Sequence, residues 1–241
     1  MCARFAQSNK WSKTKSFQFV KNLEEPKSRY NIVYSEKATI ILKPGKDYFV
    51  EDGVFSLLPN RAKTYKEAIS YTHGNAKTET IFELPTFKDP IINSRCIIPF
   101  DALFESNGEP KHKQPYAIRK FNDEPLGVAG ISNRFVDRET GKSYQSFAII
   151  TVVANSLVAK YHPKLRMPVF LEDDQFEKWL DPSMRAERDI DNFLKTYPSE
   201  KMHAYPVSTK ILATKENRMV SENCLMPIPE PPEPKIQMSL F

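Results

Sequence analysis

The stretch QSFAIITVVANS, residues 145–156, limits the possible folds more than any other part of the chain. Its Ile and Val density favours a strand within a buried sheet. A buried strand needs partners, and the sequence offers several. ATIILK (38–43) reads as a strand ending at the Pro44-Gly45 turn, and YFVEDGVFSLLP (48–59) as another, broken around Asp52-Gly53. QPYAIRKF (114–121) and PLGVAGISNRF (125–135) read as two more, separated by a polar turn at Asn122-Asp123. SRCIIPFDALFES (94–106) gives an apolar run before Pro99 and then a helical turn from Asp101.

Helical spacing is weaker. SFQFVKNL (16–23) permits a helix, and residues 61–72 place Ala62, Tyr65, Ala68 and Ile69 on one side. DDQFEKWL and SMRAERDIDNFLKTY (183–197) read as two further helices, whereas HGNAKTET is polar and opens on a turn signal. With 241 residues, 40% hydrophobic, the chain is long enough for a substantial core in one large or two modest domains. No Gly/Ser-rich linker or internal repeat divides it, so one α+β domain with short peripheral helices is expected over residues 1–226. Five prolines between Pro227 and Pro234 give residues 227–241 an extended or disordered character, either a floppy end or a peptide for docking.

The 35 Lys and Arg against 30 Asp and Glu leave a charge of +5, which weakly favours an anionic partner such as nucleic acid. Cys2, Cys96 and Cys224 form no metal spacing and no disulfide framework, which points to a reducing compartment. His73, His112, His162 and His203 include no HxxxH pair, so neither a structural metal nor a cofactor is expected. An apolar leader and an 18-residue apolar run are both missing from the sequence, which leaves a cytoplasmic protein without a membrane span as the economical expectation.

Four separated residues carry candidate chemistry. The chain opens MCARF, and loss of Met1 would give Cys2 a free amine beside its thiol. Such a 1,2-aminothiol forms an imine with an aldehyde and then captures it with sulfur as a thiazolidine. A neighbouring cation such as Arg4 would favour the thiolate. Against this, a terminal residue is usually frayed and unremarkable. Glu105, at the end of an apolar stretch, becomes a proton donor or acceptor if buried, and is otherwise a solvated or helix-capping carboxylate. His162 lies in a loop suited to acid/base work, or is a surface or hydrogen-bonded core histidine. Asn75 offers a donor and an acceptor to a sugar, phosphate or peptide, or simply forms a turn. Arg4, Lys77, Lys164 and Arg166 are candidates for phosphate contact or ordinary surface charge. Phe5, Trp11, Leu57 and Leu58 offer apolar surface to bases, with core packing as their default.

Taken in order, these segments resemble the SRAP family, the SOS response-associated peptidase-like proteins. MCARF is similar to the family's opening Met-Cys-Gly-Arg-Phe, RYNIV to its Arg-Tyr-Asn segment, and NAKTET to its Asn-Ala-Arg-x-Glu-Thr motif. RCIIPFDALFES resembles the segment ending in the family's glutamate; ITVVAN with HPKLRMPVFL, and HAYPVSTKI, resemble its later motifs. The resemblance covers residues 2–225. Ala3 stands where the family has glycine, Lys77 where it has arginine, and three residues rather than one separate His162 from Arg166. VFSLLPN lacks the family's tryptophans, and Ser106 follows the glutamate in place of one.

The resemblance implies a mixed, barrel-like β core with a positively charged DNA groove. It also implies a monomer acting on abasic sites in single-stranded DNA, including single-strand/double-strand junctions, and nucleoid-associated in a bacterium. Met1 would be removed autocatalytically, and Cys2 would form a thiazolidine crosslink that protects the strand. Glu105 and His162 would assist sugar ring opening, proton transfer and imine chemistry, and Asn75 would hold the reacting sugar or nearby backbone. The four basic residues would contact DNA. A cysteine peptidase acting on other proteins and a noncovalent nucleic-acid-binding module are the alternative classes.

Overall fold

A computed structural model describes residues 2–21, 25–107 and 113–230. The chain begins with β1 (Arg4–Gln7), followed by two 3-10 turns and then β2 (Arg29–Val33), β3 (Lys37–Leu42) and β4 (Phe49–Phe55). Helix α1 (Tyr65–Ser70) and the three-residue β5 (Asn75–Lys77) lead to α2 (Pro85–Asn93). Next come β6 (Arg95–Phe100), β7 (Ala102–Asn107), β8 (Gln114–Lys120), β9 (Leu126–Val136) and β10 (Ser143–Val153). The last elements are β11 (Arg166–Pro168), β12 (Phe170–Leu171), α3 (Phe176–Trp179), α4 (Glu187–Asp191) and β13 (Met202–Pro206).

β10 is the axis of the fold. From Ser146 to Thr151 no residue is more than 2% exposed, so both faces of this strand are covered. One edge pairs antiparallel with β9; the other takes β4 and then β5 in parallel. Pairings of β4 with β3, β3 with β6 and β6 with β9 return to β10 and close a five-stranded barrel. Closure leaves these strands without a free edge along their paired lengths.

Alternate residues of β10 point into separate cores, as the strand period requires. Phe147 and Ile149 pack with Phe5, Ile40, Phe55, Ile98 and Val128. Ala148 and Ile150 join Trp11, Ile41, Ile131, Phe176 and Trp179 under the helices. A second sheet, ordered β13-β8-β7-β1-β2, adds Leu103 and Ile118 to the first core. Its β1 lies between β7 and β2, so the amino-terminal strand is interior.

Several local expectations change in three dimensions. The helical turn expected from Asp101 is instead β7, because Leu103–Asn107 pairs residue by residue with β8 and Ala102 pairs with Ala6 of β1. β4 runs through Asp52-Gly53 without a break: β3 pairs with it continuously from Phe49 to Val54. The helix expected over 61–72 is confined to Tyr65–Ser70, with Thr64 accepting from the Glu67 amide as its cap. That over 183–197 shrinks to Glu187–Asp191, anchored by buried Ile190. Residues 15–17 form a 3-10 turn, and part of the 16–23 expectation lies outside the described residues. At the far end, Pro227 bridges Val207 and the Ile228 amide donates to Pro206; the tail expectation for 231–241 lies outside the described residues. Among the described residues no helix is long and apolar enough to cross a membrane.

Candidate active site

Extended chain ahead of β1 carries Cys2 into the first core, where the residue is fully buried rather than frayed. The interior position of β1 accounts for this, since its two neighbours fix the start of the chain. The Cys2 thiol faces the carbonyl oxygen of Arg166 at 3.8 Å, and the Cys2 carbonyl accepts from Asn75 Nδ2 at 3.0 Å.

Asn75 is held by β5, which pairs Asn75 with Ile149 of β10. Its polar composition gave no strand signal; the strand exists because β10 offers it a free edge. Asn75 Nδ2 also donates to the Tyr34 hydroxyl at 2.5 Å. The two N–H bonds of the amide are therefore spent on Cys2 and Tyr34, and Oδ1 remains buried without a partner. Tyr34 passes so close to Gly74 that a Cβ there would lie 2.0 Å from the tyrosine ring. Residue-type reasoning missed Tyr34 because a tyrosine just beyond RYNIV has no distinguishing spacing; the glycine beside Asn75 was the available signal.

Glu105 extends from β7 on the same face as Leu103, toward the first core. Burial raises its carboxyl pKa to about 8. His162 ends the 3-10 turn Val158–Lys160, whose first amide donates to Asn155 Oδ1 at 2.9 Å. Asn155 Nδ2 in turn donates to the Tyr197 carbonyl at 2.8 Å, tying this turn to the body of the protein. Burial lowers the His162 pKa to about 4, so the ring is neutral.

A backbone contact then selects the His162 tautomer. The Lys164 amide donates to Nδ1 at 3.1 Å, which places the proton of the neutral ring on Nε2. Nε2 faces Glu105 Oε1 at 3.8 Å, too far for a direct hydrogen bond, and neither atom has another partner. Buried polar atoms normally find partners. Asn75 Oδ1, Glu105 Oε1 and His162 Nε2 are thus three buried polar atoms whose hydrogen-bonding capacity is left for a guest to satisfy.

The Cys2, Glu105 and His162 donor atoms lie within 4.8 Å of one another, a spacing compatible with a shared metal. The histidine argues against that use. A ligating imidazole commonly donates its remaining N–H to an acceptor, whereas His162 Nδ1 meets the Lys164 N–H. Nε2 is presented as a donor, which suits proton work rather than ligation.

The four candidate catalytic residues therefore converge, and the four basic candidates divide. Lys77 and Lys164 are exposed. Arg166 heads β11 opposite Val153 and binds Glu79 through both terminal nitrogens. The longer His162–Arg166 segment is absorbed by a turn in which Leu165 adopts φ 50°. Arg4 instead donates at 2.6 Å to Asn31 Oδ1 and at 2.6 Å to the Ile211 carbonyl. The thiolate-stabilising role anticipated for Arg4 is not supported: burial, reinforced by Glu105, pushes the Cys2 thiol well up, and Arg166 is the arginine that opposes this. Phe5, Trp11, Leu57 and Leu58 are all buried, in keeping with core packing.

A buried thiol stands beside a protonatable carboxyl and a neutral imidazole, a cysteine-centred candidate site on a closed, mixed β barrel. The chain belongs to the SOS response associated peptidase (SRAP) family, whose model matches residues 1–214. It is 32% identical over 189 residues to abasic site processing protein YoqW of Bacillus subtilis, covering 78% of this chain and 82% of that one. Similarity to abasic site processing protein YedK of Escherichia coli is 25% over 187 residues, covering 75% and 79%. A crystal structure of a Bacteroides thetaiotaomicron protein superposes with a TM-score of 0.81 at 28% identity, covering 94% of this chain and all of that one.

Proposed function

We propose that this protein captures abasic sites in single-stranded DNA as a covalent thiazolidine through Cys2, after hydrolysis of the Met1–Cys2 peptide bond. The observation that carries the reading is the convergence of Cys2, Asn75, Glu105 and His162 around unpaired buried polar atoms. The choice of DNA rests on the family and on relatives named for abasic site processing.

An abasic deoxyribose is mostly a closed hemiacetal and reacts as its open aldehyde. Opening requires loss of the anomeric hydroxyl proton and protonation of the ring oxygen. Glu105, protonated below about pH 8, is assigned as the acid for the ring oxygen, and the carboxylate left behind takes up the anomeric hydroxyl proton as the aldehyde forms, so that the acid is regenerated. The His162 N–H orients the sugar oxygen, and Asn75 Oδ1 accepts from a sugar hydroxyl. The Cys2 amine attacks the aldehyde carbon, and loss of water gives the imine. The thiol then adds across C=N: sulfur bonds to carbon and its proton ends on nitrogen, closing the five-membered ring. A thiol kept protonated by burial suits this order, because the amine acts first and the thiol proton is consumed last.

Lys77, Lys164 and Arg166 are assigned to phosphates, and Arg4 to bracing β1 through Asn31. The decisive experiment incubates protein of verified mass, lacking Met1, with single-stranded DNA carrying one abasic site. A covalent band whose mass equals protein plus DNA minus water is expected, and Cys2→Ala should lose it. Wild type without that band overturns the proposal. Equal DNA binding by both forms without a crosslink would indicate a noncovalent module. DNA-independent cleavage of peptides would indicate a peptidase.

A further inference from the structure

The far mouth of the barrel holds a cavity that the candidate active site does not use. All five barrel strands reach it: Leu42 of β3 pairs with Phe49 of β4 and with Cys96 of β6, and Arg134 of β9 with Gln145 of β10. Strand alternation puts Leu42, Glu51, Ser132 and Gln145 on the face that carries Ile40, Phe55, Val128 and Phe147 of the first core. The cavity they help to line, about 480 Å³, is thus the open end of the barrel interior, a common place for a small ligand. Arg166, whose carbonyl faces the Cys2 thiol, pairs with Val153 at the other end of β10, about 26 Å along the strand from Gln145.

The lining is chemically mixed. Gln145 is 8% exposed, and its side-chain amide has no hydrogen-bond partner among the described residues. A buried amide normally finds one, so this donor and acceptor are left for whatever enters the cavity. Glu51 is answered by Arg134 at 2.6 Å. Lys43 and Arg95 form no ion pair among the described residues: Lys43 lies over the Tyr48 ring, and Arg95 donates to the backbone carbonyls of Ile91, Ile92, Trp179 and Asp181. The Asp181 carboxylate itself accepts from the Ser183 amide. Phe49, 52% exposed, presents an aromatic ring at the rim.

We infer that this mouth binds a free adenine nucleoside monophosphate. The Gln145 amide matches the adjacent donor and acceptor of adenine: its oxygen accepts from N6 and its nitrogen donates to N7. Phe49 gives the base a face to stack on, and Lys43 with Arg95 gives the phosphate positive surroundings. Each feature alone is ordinary; one nucleotide answers all three. The cavity volume lies in the lower part of the range for small-molecule sites, about 300–1,000 Å³, which suits a single nucleotide rather than a strand. The site stands independently of the proposed DNA chemistry, because none of Cys2, Asn75, Glu105 and His162 lines it.

The test is calorimetric titration of the full-length protein with deoxyadenosine 5′-monophosphate. One saturable site with Kd below about 1 mM is expected, and deoxyadenosine, which lacks the phosphate, should bind more weakly. Gln145→Leu should weaken the nucleotide about fivefold or more, the lower edge for a two-bond base contact. Phe49→Leu, at an exposed position that folding does not depend on, should weaken it by a similar factor through lost stacking. Lys43→Ala should narrow the gap between nucleotide and nucleoside. Absence of saturable binding overturns the inference, as does an affinity unchanged in both leucine variants at unchanged melting temperature. Should Gln145→Leu fail to fold, Phe49→Leu alone carries that comparison. A gap left unchanged by Lys43→Ala also overturns it. A short single strand of ordinary DNA serves as competitor and should leave the nucleotide bound; displacement would put the nucleotide on a strand-binding surface and overturn the separate site.

Discussion

The Tyr34 hydroxyl accepts from Asn75 Nδ2 at 2.5 Å, and the same nitrogen reaches the Cys2 carbonyl at 3.0 Å. This bridge fixes the orientation of the Asn75 amide and leaves Oδ1 as its unpartnered end. It also couples Cys2 to a tyrosine from the loop after β2.

Tyr34→Phe keeps the ring packed against Phe55, 4.7 Å away, and removes only the hydroxyl. Loss of one such hydrogen bond costs about 1 kcal/mol, so the single-turnover crosslinking rate should fall about fivefold with DNA affinity unchanged. In an Asn75→Ala background the same substitution should have almost no further effect. Rapid-quench kinetics on the four proteins measures this coupling directly.

Gly74→Ala should destabilise the protein, because its new Cβ would sit 2.0 Å from the Tyr34 ring. Overpacking of this kind costs about 1–3 kcal/mol. The penalty should largely disappear when Tyr34 is also alanine. Chemical denaturation of the single and double variants checks both halves of the prediction.

The stability–pH relation should carry the signature of Glu105. Its folded pKa, about 8, lies above its ordinary 4.5. Burial therefore favours the protonated form, and its contribution is lost as pH rises through about 8. His162, lowered to about 4, contributes a small opposing change in this window as the unfolded imidazole loses its proton above its ordinary 6.5, and that change is common to wild type and Glu105→Gln and cancels in their comparison. Between pH 6.5 and 8, wild type should lose about 2 kcal/mol relative to Glu105→Gln. Urea unfolding at the two pH values reads the difference.

Asn155→Ala removes the acceptor for the Val158 amide and the donor to the Tyr197 carbonyl. A stability loss of about 1–3 kcal/mol is expected from the lost cap and the unpaired carbonyl. The His162 ring should also lose its fixed orientation. Thermal unfolding reports the first effect, and imidazole nitrogen NMR shifts report the second.

The sequence carried the barrel's axis plainly because β10 is covered on both faces, so its apolar residues run together without a competing helical period. Residue chemistry marked Cys2, Asn75, Glu105 and His162 as separate candidates, and only the family resemblance grouped them into one site. Nothing in the spacing of Glu105 distinguishes a buried strand carboxyl from the helical turn expected at Asp101; pairing with β8 decides between them. β5 was hidden for a similar reason, since three residues become a strand only when β10 supplies the edge. The direction of Arg4 depends on Asn31 and Ile211, remote partners that local pattern does not encode. Tyr34 was overlooked because its role lies in a contact with Asn75, and side-chain chemistry alone does not mark it.

The interior placement of β1 has a consequence for the order of synthesis. Cys2 leaves the ribosome ahead of β7, Asn75, Glu105 and His162, the last of which follows 160 positions later. A nascent chain exposes its thiol long before the groups that would govern it exist. Such distant pairings form late because the intervening loops must first close. Under the proposed function, completion of the fold would act as quality control on reactivity: a truncated or stalled chain carries the cysteine but lacks the buried carboxyl and imidazole that surround it in the finished fold.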